Sequence, residues 1–219
     1  MTRLLLLNPN RSAAATAAML AAGREALPDG VMLDGATNPA GPELIVDEAG
    51  LAAAAASVAD AGSWADPDGA DGLIVGAFGD PGRDALAARA MAPVTGIAEA
   101  AFAEAGHGGR AVSVVTTTPQ LEAAILRSAA GLGARFRGCR FTEGDPLILM
   151  ASPDRLLDAL RAACGRAVRE DGAEAIVIGG GPLATAARAL AGLVAVPIVA
   201  PVPAAVRLAA ARAGAWAPA

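Results

Sequence analysis

The chain has no lysine and no tyrosine, a single histidine, His107, and two cysteines, Cys139 and Cys164. Each shortage removes a class of chemistry. All 17 basic residues are arginine, so no side-chain amine is present to hold pyridoxal phosphate or a sugar as a Schiff base. The two cysteines lack metal-ligand or redox spacing. A zinc site or a serine–histidine relay would rest on His107, which sits in Ala105-Gly106-His107-Gly108-Gly109 and reads as an exposed loop between lobes. No metal and no organic cofactor is expected. Acid–base work is left to carboxylates, hydroxyls, backbone amides and the two thiols.

Long apolar runs are also missing. Hydrophobic residues make up 54% of the 219, yet no run of about 18 is free of charge and proline, so no membrane span is expected. The opening Leu4–Leu7 runs straight into Asn8-Pro9-Asn10. It is too short for the roughly 7–15-residue apolar core of a signal peptide and reads as a buried first strand. The net charge is −5 with no basic cluster, which argues against nucleic acid as a partner. The expected location is the cytoplasm.

What is present is a statement made twice. Asp68-Gly69-Ala70-Asp71-Gly72-Leu73-Ile74-Val75-Gly76-Ala77 is echoed by Asp171-Gly172-Ala173-Glu174-Ala175-Ile176-Val177-Ile178-Gly179-Gly180, and Pro93–Ala98 by Pro197–Val202. Such a repeat implies two similar lobes, each with a buried strand ending in a glycine turn. Strand-like runs alternate with alanine-rich helical stretches, which points to α/β architecture with parallel sheets. Strands are expected at 3–8, 30–36, 72–78, 93–97, 110–116, 135–142, 174–179 and 196–200. Helices are expected at 11–27, 43–61, 82–90, 98–106, 119–132, 153–170, 182–191 and 203–213.

Several strand ends share one grammar. Asn8-Pro9-Asn10, Asp80-Pro81-Gly82, Thr118-Pro119-Gln120 and Gly181-Pro182-Leu183 each put a proline between an apolar run and a helical one. Proline suits a first helical turn, and Asn8, Asp80 and Thr118 are good caps. Ligands of open α/β sheets bind at the carboxyl ends of strands, near helix N-termini that offer free amides to an anion. Each corner alone is an ordinary βα turn; four together make a small carboxylate-binding cleft. Thr116-Thr117-Thr118 is the most polar corner, suited either to holding an oxyanion or to ending a strand and capping a helix. Ser12 and Thr16 either face the cleft or flank Asn10.

These residues resemble the aspartate/glutamate/hydantoin racemase superfamily, nearest its hydantoin and allantoin racemase branch. The resemblance rests on Asn8-Pro9-Asn10-Arg11-Ser12 with Thr16, Gly76-Ala77-Phe78-Gly79-Asp80-Pro81-Gly82, Pro93–Ala100, the Thr116–Thr118 strand end and Gly179-Gly180-Gly181-Pro182-Leu183. It implies two Rossmann-like lobes related by a pseudo-twofold axis, with the site in the cleft between them. Lobe one would be 1–98 plus about 205–219, and lobe two 99–204. It further implies cofactor-free chemistry at a carbon next to a carbonyl, a small carboxylate or hydantoin-like ligand, and assembly into oligomers. In that family each lobe offers a cysteine at its glycine turn. The matching positions here are Ala77 and Gly180, so both thiols are replaced. Ligand contacts are then expected from Asn8, Asn10, Ala77, Phe78, Gly79, Thr116, Thr117, Thr118, Gly180, Gly181 and Pro182.

With no thiol at either turn, the candidate general bases are Asp80 and Glu99, if burial raises a carboxyl toward neutrality. Each also has a structural alternative, Asp80 as a helix cap and Glu99 as a cap or an arginine partner. Glu143 and Asp145 lie in a loop able to cover the cleft. Cys139 falls in an expected strand and Cys164 in mid-helix, where a free thiol acts as a small hydrophobe. Racemisation with a non-cysteine base, decarboxylation or isomerisation in the same superfamily, and silent binding of a small carboxylate all remain open at this point.

Overall fold

The computed structural model describes residues 1–131, 135–180 and 183–216. Its strands are β1 (Thr2–Asn8), β2 (Val31–Thr37), β3 (Gly72–Val75), β4 (Val94–Gly96), β5 (Ala111–Thr116), β6 (Arg135–Phe141), β7 (Ala175–Ile178) and β8 (Ile198–Val199). They form two four-stranded parallel sheets, ordered β2-β1-β3-β4 and β6-β5-β7-β8. The second order is the first with every index raised by four. The sequence repeat is thus a repeat of topology: two parallel-sheet α/β lobes.

Nine α-helices connect the described strands: α1 (Ala13–Arg24), α2 (Glu48–Ala59), α3 (Arg83–Ala87), α4 (Ile97–Ala105), α5 (Glu122–Gly131), α6 (Pro146–Met150), α7 (Pro153–Asp171), α8 (Ala184–Leu190) and α9 (Pro201–Arg212). None is long and apolar enough to cross a membrane.

Side-chain alternation along the strands explains the layering. On β1, Leu5 and Leu7 join Leu73 and Val75 of β3 in an outer cluster under α2 and α3. On β7, Ile176 and Ile178 join Leu156, Leu160 and Cys164 of α7 in a second outer cluster. The opposite faces, Leu4, Leu6 and Ile74 from one sheet and Val112, Val114 and Val177 from the other, belong to one continuous inner core. Phe102 of α4 and Val202, Val206 and Ala209 of α9 complete it. Helix α9 packs against α1, α4, β1, β3 and β4, while α4 touches both α9 and the strands β7 and β8.

All eight expected strands form, each ending within three residues of its expected bounds. Three expectations are corrected. The stretch 43–47 does not begin a helix: Asp47 caps α2 by accepting from the Gly50 amide at 2.8 Å. Residues 119–121 form a 3-10 turn ahead of α5. The short helix α6, which has no counterpart among the expected helices, comes directly after the Glu143–Asp145 loop. The caps expected of Asn8 and Asp80 are corrected too. The cap of α1 is Ser12, whose hydroxyl accepts from Ala15 N at 3.1 Å, and α3 starts from Gly82. Thr118 precedes its turn without a side-chain cap bond.

Ile176 is fully buried on β7, between Ser113 of β5 and Ile198 of β8. Ile176→Ala is expected to cost about 2–5 kcal/mol through lost burial and a residual void. Urea unfolding should register this as a lower midpoint with an unchanged slope.

Candidate functional site

A cavity of about 680 Å³ opens at the carboxyl ends of the central strands of both sheets. Asn10, after β1, and Gly76-Ala77-Phe78, after β3, line one side. Thr116-Thr117-Thr118, after β5, and Gly179-Gly180, after β7, line the other. The two turns of the repeat therefore meet at one cavity. Ala77 has an ordinary backbone, whereas Gly180 sits at φ +131°, a conformation L side chains rarely adopt. Gly181 and Pro182 lie outside the described residues. The remaining wall is mostly apolar, Leu121, Ile125, Leu183, Pro146 and Met150 faced by the strap Leu44-Ile45-Val46, with Gln120, Glu43 and Asp145 as its polar members.

The polar corner at Asn10 is built from below. Asn8 is fully buried, and its Nδ2 donates to Asn10 Oδ1 at 3.0 Å, Ser12 O at 3.2 Å and Thr16 Oγ1 at 2.9 Å. Its own Oδ1 accepts from Asn10 N at 3.2 Å. Asn8 is thus a staple beneath the cavity wall rather than a part of it. Asn10 Oδ1 also accepts from Ser12 N at 2.9 Å. Both bonds to the Asn10 carboxamide use its oxygen, which leaves its NH2 donors for whatever enters the cavity. Across from it, the Thr117 and Thr118 hydroxyls lie 3.5 Å apart. Ser12 and Thr16 do not line the cavity; they serve the Asn8 network and the α1 cap.

The two expected bases are placed elsewhere. Asp80 is the one described non-glycine residue with positive φ, +50°. Its Oδ1 accepts from Ala98 N at 2.8 Å and its Oδ2 from Glu99 N at 2.7 Å. It therefore caps α4, not the helix next to it in sequence. The N-cap of α4 is Gly96, which has no side chain to offer. A Cβ there would fall 2.0 Å from Asp80 Cγ, so glycine leaves the space that Asp80 fills. Glu99 Oε2 accepts from Gly96 N at 3.2 Å, half of a capping box whose other half Asp80 supplies. Glu99 is also gripped by Arg212, at 2.6 and 3.0 Å, and by Arg83 at 3.1 Å.

These surroundings push the two carboxyls apart. Burial moves Asp80 up to about 6, against the pull of its two amide bonds and of Arg83. Burial acts on Glu99 in the same direction, but the bonds from Arg212 and Gly96 N outweigh it and hold Glu99 below the usual carboxylate range. Neither carboxylate, nor Gly79, lines the cavity. The base role expected of Asp80 and Glu99 thus gives way to capping, because α4 needs acceptors at its first turn. The carboxylates on the wall are Glu43, paired with Arg11 at 3.2 Å, and Asp145, whose Oδ1 accepts from Ile148 N at 3.3 Å.

Neither thiol lines the cavity. Cys139 lies on the edge strand β6 and Cys164 is buried in α7, and burial pushes both up to about 12. Among the described residues no group of three or more His, Cys, Asp or Glu is placed to hold a metal. Sequence reasoning missed the strap 43–46 and the α5 and α6 side chains on the wall. The signal was Leu44-Ile45-Val46 itself, an apolar run beside Pro42 that periodicity assigned to a helix.

A pair of topologically matched parallel α/β lobes with a cavity at facing strand ends is an arrangement this chain shares with solved racemase structures. The chain belongs to the Asp/Glu/Hydantoin racemase family, whose model matches residues 4–209. It is 30% identical to a hydantoin racemase of Paenarthrobacter aurescens over 210 residues, 94% of this chain and 89% of that protein. The allantoin racemase of Pseudomonas fluorescens superposes with a TM-score of 0.88 at 31% identity, covering 97% of this chain and 92% of that one. That of Klebsiella pneumoniae gives 0.86 at 32%, covering 96% and 87%.

These environments lead to two expected outcomes. Asp80 is more easily protonated in the fold than in the unfolded chain, where its pKa is near 3.9. Its stabilising contribution is therefore complete below about pH 4 and lost as pH rises through about 6, by up to about 3 kcal/mol. Unfolding free energies should decline more steeply over pH 4–6 in the wild type than in Asp80→Asn. Equal slopes would remove the assignment. Separately, a disulfide reagent at pH 8 should modify Cys139 and Cys164 at least tenfold more slowly in the folded protein than in urea, because the thiolates are suppressed.

Proposed function

We propose that the chain binds a small hydantoin-like ring or carboxylate carrying an apolar substituent, and exchanges the proton on the carbon beside its carbonyl without a catalytic thiol or a cofactor. One observation carries the reading: Ala77 and Gly180, the two matched turns, line one cavity together with Asn10 and the three threonines Thr116–Thr118. The family membership supports the reaction class. This reading takes Ala77 and Gly180 as the positions where the resemblance implies the family's two thiols. The apolar wall of Leu44, Ile45, Val46, Leu121 and Met150 suits an alkyl or aryl substituent. No arginine lines the described cavity, which favours a ring or a single carboxylate over a dianion.

Chemistry without a thiol puts the burden on the oxyanion. As the α-proton leaves, negative charge builds on the carbonyl oxygen. The Asn10 NH2 and the hydroxyls of the Thr116–Thr118 corner are the donors nearest to hand for it, and loss of one such donor costs roughly 10²–10³-fold in rate in comparable sites. The proton acceptor is drawn from Asp145 and Glu43, the carboxylates of the wall. Weakly basic acceptors demand an already acidified C–H, such as one between a carbonyl and an amide nitrogen. A second reading, silent binding of the same ligand, is favoured by one fact: Glu43 is ion-paired to Arg11 and Asp145 caps α6.

Incubation with 5-substituted hydantoins and arylmalonates in heavy water, monitored by NMR and chiral separation, decides between the readings. Exchange is expected for an aryl-substituted hydantoin, reduced about 10²–10³-fold in Thr117→Val. Ala77→Cys should raise the rate at least tenfold by restoring a strong base where the backbone accepts a side chain. Full exchange in both Asp145→Asn and Glu43→Gln would overturn the assigned acceptor. Binding without any exchange would establish the silent reading, and neither binding nor exchange would defeat both.

A further inference from the structure

The turn that carries Ala77 is tied to α4 at two points. Asp80 closes the turn, its amide donating to Ala77 O at 3.1 Å, and its carboxylate accepts from the second and third amides of α4. The Phe78 ring, which lines the cavity, packs against Phe102 of α4 with centroids 6.2 Å apart. Helix α4 in turn contacts α9 on one side and β7 and β8 of the other sheet. A segment of cavity wall from the first sheet is thus anchored to a helix that both sheets share. Gly96 makes the anchor feasible, since any side chain there would displace the Asp80 carboxylate. The positive φ of Asp80 is tolerated where two hydrogen bonds determine it.

We propose that Asp80 is a positioning residue that clamps the cavity-wall residues Ala77 and Phe78 to the N-terminus of α4, and that the clamp is firm only when Asp80 is ionised. The ionised carboxylate offers acceptors to both amides. Protonation turns one oxygen into a donor facing an N–H, so one of the two bonds is lost. The groups around the carboxylate are Arg83 of α3, Glu99 of α4 and, behind Glu99, Arg212 of α9. Arg83 favours the ionised form and Glu99 opposes it. Burial places the transition at about pH 6. Loosening at low pH does not conflict with greater overall stability there, because release of a buried charge outweighs one lost bond. The consequence for ligand binding rests on the function proposed above; the clamp itself does not.

The test is residue-resolved NMR on the full chain. In the wild type, the amides of Ala98, Glu99, Ala77 and Phe78 should titrate together with a midpoint near 6. That midpoint should vanish in Asp80→Asn and persist in His107→Gln, which removes the one histidine. At pH 7.5, Asp80→Asn should speed hydrogen exchange at 77–80 and 97–99 at least tenfold while leaving Ala175–Ile178 unchanged. A merely structural Asp80 would raise exchange throughout the chain, and that result overturns the proposal. So does a midpoint at Ala98 and Glu99 that Ala77 and Phe78 do not share. Should Asp80→Asn fail to fold, the wild-type titration and Gly96→Ala, which crowds the same carboxylate, give the same two readings. Affinity for 5-benzylhydantoin should fall at least fivefold in Asp80→Asn at pH 7.5. Absence of any wild-type binding would count against the proposed function and leave the amide result to stand or fall alone.

Discussion

The structure depends on one constraint: two sheets bury their inner faces in a single core. Leu4, Leu6 and Ile74 share that core with Val112, Val114 and Val177, and α4 and α9 complete it. Neither sheet can shift against the other without exposing this surface. At roughly 25 cal/mol per Å² of apolar area, even a modest opening would consume a large part of the marginal stability of a domain. The relative placement of Ala77 and Gly180 is a by-product of that packing. Each sits just past the carboxyl end of its own strand, and the common core brings the two strand ends to one cavity.

The same constraint explains why α4 is capped from outside. Helix α4, with Ile97, Ala98, Ala100, Ala101, Phe102 and Ala105 buried, can pack against both sheets only if its first turn comes close to the neighbouring loop. Gly96 permits that approach and forfeits its own cap. Asp80 then provides the missing acceptor, while Glu99 is neutralised by Arg212 and Arg83. Two carboxylates that in isolation look like acid–base candidates are consumed by helix architecture. The cavity keeps the neutral polar groups of Asn10 and the threonines on a largely apolar wall, with Glu43 and Asp145 as its carboxylates.

Much of the fold was legible because it is written in local periodicity. Buried parallel strands are continuous apolar runs, and Leu4–Leu7, Leu73–Val75 and Ala175–Ile178 announce themselves. The cavity walls at Asn10, Ala77, Phe78 and Thr116–Thr118 were legible because strand ends in such sheets face the ligand. The strap 43–46 was not, since an apolar run before a helix reads as part of it until Asp47 is seen to cap. Nor was the part played by Asn8, whose four hydrogen bonds turn inward although its position in the motif looks like that of a ligand contact.

The sequence by itself determined the doubled α/β plan, the strand ends at the cavity and the absence of lysine chemistry, since all of these are dictated by residue order and composition. Tertiary structure alone decided what each polar group does. Asp80 and Ala98 are far apart in sequence, and so are Glu99 and Arg212. Whether a carboxylate is a base or a cap depends on which amides and cations reach it, and only packing brings those together.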